Sequence, residues 1–149
     1  MRALAENKKA YFDYEILEKF EAGMVLTGQE VKSIKSGHIN LAGSYVVFRN
    51  EEAFLLNANV PPYQPKNAPA NYDPAKMRKL LLNKSEIKYL IGKSQEKHLT
   101  LVPLKVYTKK GKIKLEFGLA KGRKKANKRE LLKKRAVDRE IERELKLRG

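Results

Sequence analysis

The stretch "KIKLEFGLA" (Lys112–Ala120) alternates without a slip: Ile113, Leu115, Phe117 and Leu119 share one parity, and Lys112, Lys114 and Glu116 share the other. Side chains repeat every two residues only in extended backbone, so this run is a strand with one face in a core and one in water. A strand of that kind needs neighbours. "LTLVPLKVY" precedes it through the turn "TKKGK", and Pro103, which has no N–H to give a ladder, predicts a bulge or an edge. "SYVVFR" and "AFLLNANV" flank Asn50–Glu52 and read as a hairpin. "YFDYEILEKF" (Tyr11–Phe20) sets Phe12, Tyr14, Ile16 and Phe20 on one parity, which predicts a further strand broken only at Glu18.

Helical signals are short. In "GQEVKSIKSG" (Gly28–Gly37), Val31 and Ile34 sit three apart between lysines, giving a helix of two to three turns with one apolar edge. "NKSEIKYLIG" carries Asn83 and Glu86 at capping-box spacing and Gly92 as a stop, predicting a helix that buries Ile87, Leu90 and Ile91. Between these lies "PPYQPKNAPANYDPAK" (Pro61–Lys76), which holds five of the six prolines and can only be an ordered excursion. Short antiparallel strands with two or three short helices make a mainly β chain. The expected architecture is a closed OB-like barrel over residues 1–121, a form that does not by itself establish function.

The charge is less ordinary. Lys and Arg number 33 against 17 acidic residues, a net charge of +16, and 13 of the basic residues fall in the last 29 positions. Self-repulsion of that size calls for a polyanionic partner, and its asymmetry predicts a basic tail over residues 122–149 appended to a basic body. Leu131, Leu132, Val137, Ile141 and Leu145 give the tail a thin apolar stripe. An isolated helix of about 20 residues is marginal in water, so the tail is expected to be flexible when free and helical on a partner.

Cysteine is absent, which removes disulfides, thiolate zinc sites and a thiol nucleophile. No apolar run reaches the roughly 18–20 residues of a membrane span, and the first residues show no signal-peptide h-region. The expectation is a cytoplasmic protein away from membranes. "IGKS" (Ile91–Ser94) imitates a phosphate loop, but Ile87 stands where that motif needs glycine. His38 and His98 have no ligand partners at metal spacing, and no serine sits in a nucleophile elbow. No enzyme, metal or cofactor is expected. Lysines 8, 9, 32, 35, 76, 79, 84 and 88 and Arg78 instead lie near loops or on exposed helix faces. Tyr11, Phe12, Tyr45, Tyr63 and Tyr72 are interleaved among them, a mixture suited to phosphates and unpaired bases.

"NKKAYFDYEI", "FEAGMVLTGQEVKSIKSGHINLAGSYV", "RKLLLNKSEI", "LTLVPLKVYTKKGKIKLEFGLAKG" and "NKRELLKKR", in this order, resemble the small protein B family, from about Asn7 to the C-terminus. The resemblance implies an OB-like barrel that grips the tRNA-like part of transfer-messenger RNA. It also implies delivery to the vacant A site of stalled ribosomes, where the tail enters the empty mRNA channel beside the small-subunit decoding centre. Elongation factor Tu and alanyl-tRNA synthetase become indirect partners through the RNA, and the protein acts as a monomer. The family's RNA-contact positions fall on Asn7, Glu21 and Leu81. With Lys8, Lys32, Lys35, Arg78 and Lys79 they form the expected RNA surface, while Arg123, Lys124, Lys125, Lys128, Arg129, Lys133, Lys134 and Arg135 form the expected ribosome-binding tail.

Two departures bear on the tail. The family usually reads Asp-Lys-Arg after an aromatic residue or histidine; here Ala126 and Asn127 precede Lys128 and Arg129. Asn caps a helix about as well as Asp, and Glu130 stands at the capping-box position, so helix initiation is preserved. His98 stands where the family often has glycine. The rival reading is a ribosomal or ribosome-assembly protein with an OB-like body and a basic arm. A nucleic-acid-modifying enzyme is disfavoured, because no metal or nucleophile constellation is present.

Overall fold

The computed structural model describes residues 2–96 and 98–123. Seven strands and three α-helices follow one another as β1 (Arg2–Glu6), α1 (Lys8–Asp13), β2 (Tyr14–Met24), α2 (Gly28–Lys35), β3 (Tyr45–Arg49), β4 (Glu52–Leu56), β5 (Arg78–Leu81), α3 (Lys84–Ser94), β6 (Leu99–Lys109) and β7 (Lys112–Gly122). One antiparallel sheet has the order β1-β6-β7-β2-β5-β4-β3. Its hydrogen-bonded series ends at β1 and β3, and β3 lies against β6, so the barrel closes there by packing instead of by a ladder.

The alternation in β7 is realised: Ile113, Leu115, Phe117 and Leu119 are buried on the inner face. They meet Ile34 of α2, Leu55 of β4, Leu80 of β5 and Leu90 of α3 in one core. Both hairpins use two-residue turns with positive φ at each position, Asn50 and Glu51 between β3 and β4, Lys110 and Gly111 between β6 and β7. That geometry matches the right-handed twist of the strands it joins. Pro103 sits at a register shift in β6, as its missing N–H requires, although β6 is paired on both sides.

Three expectations are corrected. The strand predicted from Tyr11 starts only at Tyr14, where β2 first pairs with the last residue of β7, and residues 8–13 wind into α1. Alternation alone could not see that 11–13 have no strand opposite them. Ala10 of α1 instead packs with Val102, Leu104 and Ala120 in a second small cluster. Nor does α3 stop at Gly92; it runs to Ser94, where the Ser94 hydroxyl donates to the Ile91 carbonyl (2.9 Å) and Lys93 pairs with Glu96 (3.3 Å). A glycine within a helix costs about 1 kcal/mol against alanine, too little to end one that buries Leu90. Ile87 and Ile91 are half-buried, not fully buried as expected.

The pattern break at Glu18 is a β-bulge: Ile16 faces Ala120 and Glu18 faces Leu119, leaving Leu17 as the extra, exposed residue. Gly118 makes the bulge possible. A Cβ there would stand 2.8 Å from Ile16 Cγ2 and 3.3 Å from the Glu18 carbonyl oxygen. Gly118→Ala is therefore expected to lose about 1–3 kcal/mol in denaturant unfolding, as overpacked interiors do. An unchanged midpoint would show that the bulge yields freely.

Candidate nucleic-acid interface

The outer faces of β2, β5, β6 and β7 carry the charge. The ladders set Lys105 opposite Glu116, Tyr107 opposite Lys114 and Lys109 opposite Lys112, while Glu21 faces Glu116, and Gly23 lies between Lys114 and Leu81. Glu116 is shared by Lys19 (4.0 Å) and Lys105 (3.8 Å). Beside them, Gly23, Met24, Leu26, Val31, Lys35, Leu81, Lys112 and Lys114 line an open cleft of about 310 Å³. Leu81 is 55% exposed, so the core role open to it from sequence falls to its neighbour Leu80, which is buried. An uncovered leucine ringed by lysines can pack against a sugar or base while the ammonium groups meet phosphates.

Glu21 is the acid within this basic face. Its carboxylate accepts a hydrogen bond from the Tyr107 hydroxyl, and Lys109 Nζ lies 3.4 Å from both of its oxygens. The Tyr107 bond, followed by Lys109 and the nearby Lys114, holds the carboxyl below its ordinary pKa despite partial burial. Burial first, and then the Glu21 charge, push the Tyr107 phenol up, so it stays a donor. Lys105 Nζ rests over the Tyr107 ring, 5.5 Å from its centre.

Arg78 corrects the expected surface. In "RKLL" the register of β5 turns Lys79 and Leu81 outward and Arg78 and Leu80 inward. The Arg78 side chain is only 1% exposed, and it donates through Nε to Glu30, which is equally buried. Its other nitrogens donate to the carbonyls of Ala58 (3.0 Å), Lys76 (3.1 Å) and Pro74 (3.0 Å). With its donors spent inside the protein, Arg78 clasps the proline-rich excursion instead of a phosphate. The clasp is reinforced by Tyr72 Oη donating to the Val60 carbonyl (2.6 Å) and Ser33 Oγ to that of Pro61 (2.7 Å). Burial alone would raise the Glu30 pKa, but the Thr27 N–H, Arg78 and Lys76 outweigh it and lower it.

Asn7 is likewise an internal tie. It is buried, and its Nδ2 donates to the carbonyls of Pro103 (2.9 Å) and Leu41 (3.4 Å), joining the 39–44 loop to the bulge in β6. Its amide nitrogen is thus engaged inside the protein. Asn7 lines a second cleft of about 280 Å³ with Lys9, Asp13, Tyr14 and Tyr45, apart from the residues around Leu81. Lys8 is exposed on α1, and Lys32 and Lys35 are exposed on α2. Lys79 is also exposed and pairs with Glu52 at 3.5 Å. Of the tail set, Arg123 donates its backbone N–H to the Asp13 carbonyl (2.9 Å); Lys124, Lys125, Lys128, Arg129, Lys133, Lys134 and Arg135 lie outside the described residues.

Sequence reasoning missed Lys105, Lys109, Lys112 and Lys114, whose outward parity was visible but whose convergence with Glu21 needs the β2-β7-β6 order. It missed Glu30 as well, though "TGQE" carries a capping box, realised as reciprocal bonds of 2.9 and 3.2 Å with Thr27. Among the described residues no cluster of acids and histidines could hold a metal, and no helix is long and apolar enough to cross a membrane.

Comparison with known proteins agrees with this architecture. An SsrA-binding protein of Acaryochloris marina is 52% identical over 145 residues, covering 97% of this chain and 94% of its own. One of Thermosynechococcus vestitus is 49% identical over 148 residues, covering 99% and 97%. A solved chain described as "tmRNA-SmpB: a journey to the center of the bacterial ribosome" superposes with a TM-score of 0.68 at 48% identity, over 81% of this chain and 85% of that one. With the family model for SmpB protein matching residues 4–147 as well, the chain belongs to the SmpB family.

Proposed function

We propose that this protein is a non-enzymatic RNA-binding factor of ribosome rescue, with transfer-messenger RNA as its first partner. The observation that carries the reading is the lysine face around exposed Leu81 and the anchored Glu21, on a chain whose relatives are named SsrA-binding proteins. Lys35, Lys79, Lys109, Lys112 and Lys114 neutralise phosphates of the tRNA-like part, and Leu81 packs on the folded elbow. Recognition is of shape, since an RNA elbow offers splayed loops and 2′-hydroxyls in place of a readable major groove.

The bound pair is aminoacylated by alanyl-tRNA synthetase, carried by elongation factor Tu, and placed in the vacant A site of a stalled ribosome. There the barrel stands in for an anticodon arm. The basic tail from residue 122 onward, through Arg123, Lys124, Lys125, Lys128, Arg129, Lys133, Lys134 and Arg135, tests whether the mRNA channel is empty.

Competition tests the reading. Ordinary tRNA or single-stranded DNA should displace the tRNA-like RNA only at large excess, and equal competition would leave nothing more than a polycation. Lys112→Ala and Lys114→Ala should each lower the slope of log K against log salt by about 1, as expected when a phosphate contact is lost. Unchanged slopes would move the interface elsewhere.

A further inference from the structure

Glu21 is out of place on a surface built for phosphates. It is also the acid on that face with a neutral hydroxyl fastened to it: Tyr107 donates to Oε2. Glu116, by contrast, has two lysines and serves as their counter-charge. A carboxylate offers about four lone-pair positions. Tyr107 takes one and Lys109 reaches both oxygens only at a long 3.4 Å, while the group keeps 35% of its surface open. Part of the carboxylate is thus open to solvent, and the ring that holds it is itself buried.

We infer that Tyr107 is a positioning residue that holds Glu21 as a paired acceptor for the Watson–Crick edge of one unpaired guanine in the bound RNA. Guanine alone presents two donors side by side on that edge, N1–H and the N2 amino group. Cytosine and adenine set a ring acceptor beside their single amino donor, and uracil sets a carbonyl on each side of its N3–H. Any of those three would aim a lone pair at the carboxylate, whereas guanine meets both oxygens with hydrogens. The lysines around Glu21 then hold the flanking phosphates, which the carboxylate itself repels. The low carboxyl pKa keeps the acceptor charged through the neutral range. Lys105 lies over the Tyr107 ring, and the long 3.4 Å contacts from Lys109 give way to the guanine's shorter bonds.

The inference rests on RNA being the ligand of this face, so its test separates the two. Kethoxal forms its adduct across N1 and N2 of unpaired guanines and reports that edge directly. At saturating protein, the wild type should shield one loop guanine of the tRNA-like RNA from kethoxal. Glu21→Gln should expose it, and Tyr107→Phe should expose it in part, with dimethyl sulfate reactivity at adenine and cytosine and the salt slope both unchanged.

Replacing that guanine by inosine, which lacks the amino group, should weaken wild-type binding about tenfold or more and leave Glu21→Gln binding unaffected. A Tyr107→Phe protein that melts with the wild type yet loses the protection separates positioning from folding, and the half-exposed Glu21 gives the same test without touching the core. Protection of the same guanine in all three proteins would overturn the inference while leaving RNA binding intact. So would changes confined to 2′-hydroxyl acylation, or to an adenine or cytosine. If the wild type fails the tRNA competition described above, the functional reading falls and this inference falls with it.

Discussion

Arg78→Ala is expected to destabilise the protein by about 3–5 kcal/mol, the usual cost of leaving one member of a buried ion pair without its partner. The melting temperature should fall by on the order of 10 °C or more. Glu30 would keep only the Thr27 N–H (2.9 Å) and Lys76 (3.4 Å), and the carbonyls of Ala58, Pro74 and Lys76 would lose their donor. The pH dependence identifies the cause. In the wild type the folded carboxyl titrates below its ordinary value of 4.5, so the stability it contributes is complete above that value and is lost as pH falls through the lower folded pKa. Without Arg78 two of the influences that lower it are gone and burial remains, so the folded pKa rises and the variant loses less stability on acidification than the wild type. The gap between the two should therefore narrow from pH 7 toward pH 4. A gap independent of pH would assign the loss to packing alone. Replacing both Glu30 and Arg78 by Met should recover part of the loss but not all of it, because Thr27 and the three carbonyls stay unserved.

Removing residues 127–149 should abolish peptide tagging in a reconstituted rescue reaction while leaving affinity for the tRNA-like RNA within about tenfold. The deleted segment contributes 9 basic and 5 acidic residues, so it removes some nonspecific attraction but none of the described residues around Leu81 and Glu21. The comparison belongs at 0.15 M salt or above, where the Debye length is about 8 Å and diffuse attraction from the tail's charges is screened. A collapse of RNA affinity on truncation would place the principal RNA contacts in the tail and undo the proposed division of labour.

What could be read from sequence divides along a physical line. Strand β7 and both hairpin turns were legible because alternation and two-residue turns are local properties of the backbone. The bulges at Leu17 and Pro103 were legible as breaks in that pattern. Helix α1 was not, because its residues alternate by chance, and only the length of β7 decides where β2 can begin to pair. Arg78 was misplaced for the same reason: "RKLLL" reads equally well in either parity, and a one-residue choice exchanges the clasp with the surface. Its partner Glu30 lies 48 positions away, beyond any local signal. In the candidate site, Glu21 and Leu81 came from family resemblance, and the lysine pattern supplied the charge. That Tyr107 anchors Glu21 across 86 positions of sequence could come only from the strand order.

Strand β7 lies between β6 and β2, paired antiparallel along most of its length with both, and its C-terminal end is where the chain passes from the body toward the tail. Tension on that end acts along the strand. The two ladders are therefore loaded in shear, and many backbone hydrogen bonds share the force instead of opening one after another as they would at a peeled edge. On the proposed reading, a tail gripped by the ribosome passes that pull to the body without unravelling the barrel. In this respect β7 is the chain's tow-bar, and its central place in the sheet is as much a mechanical property as a topological one.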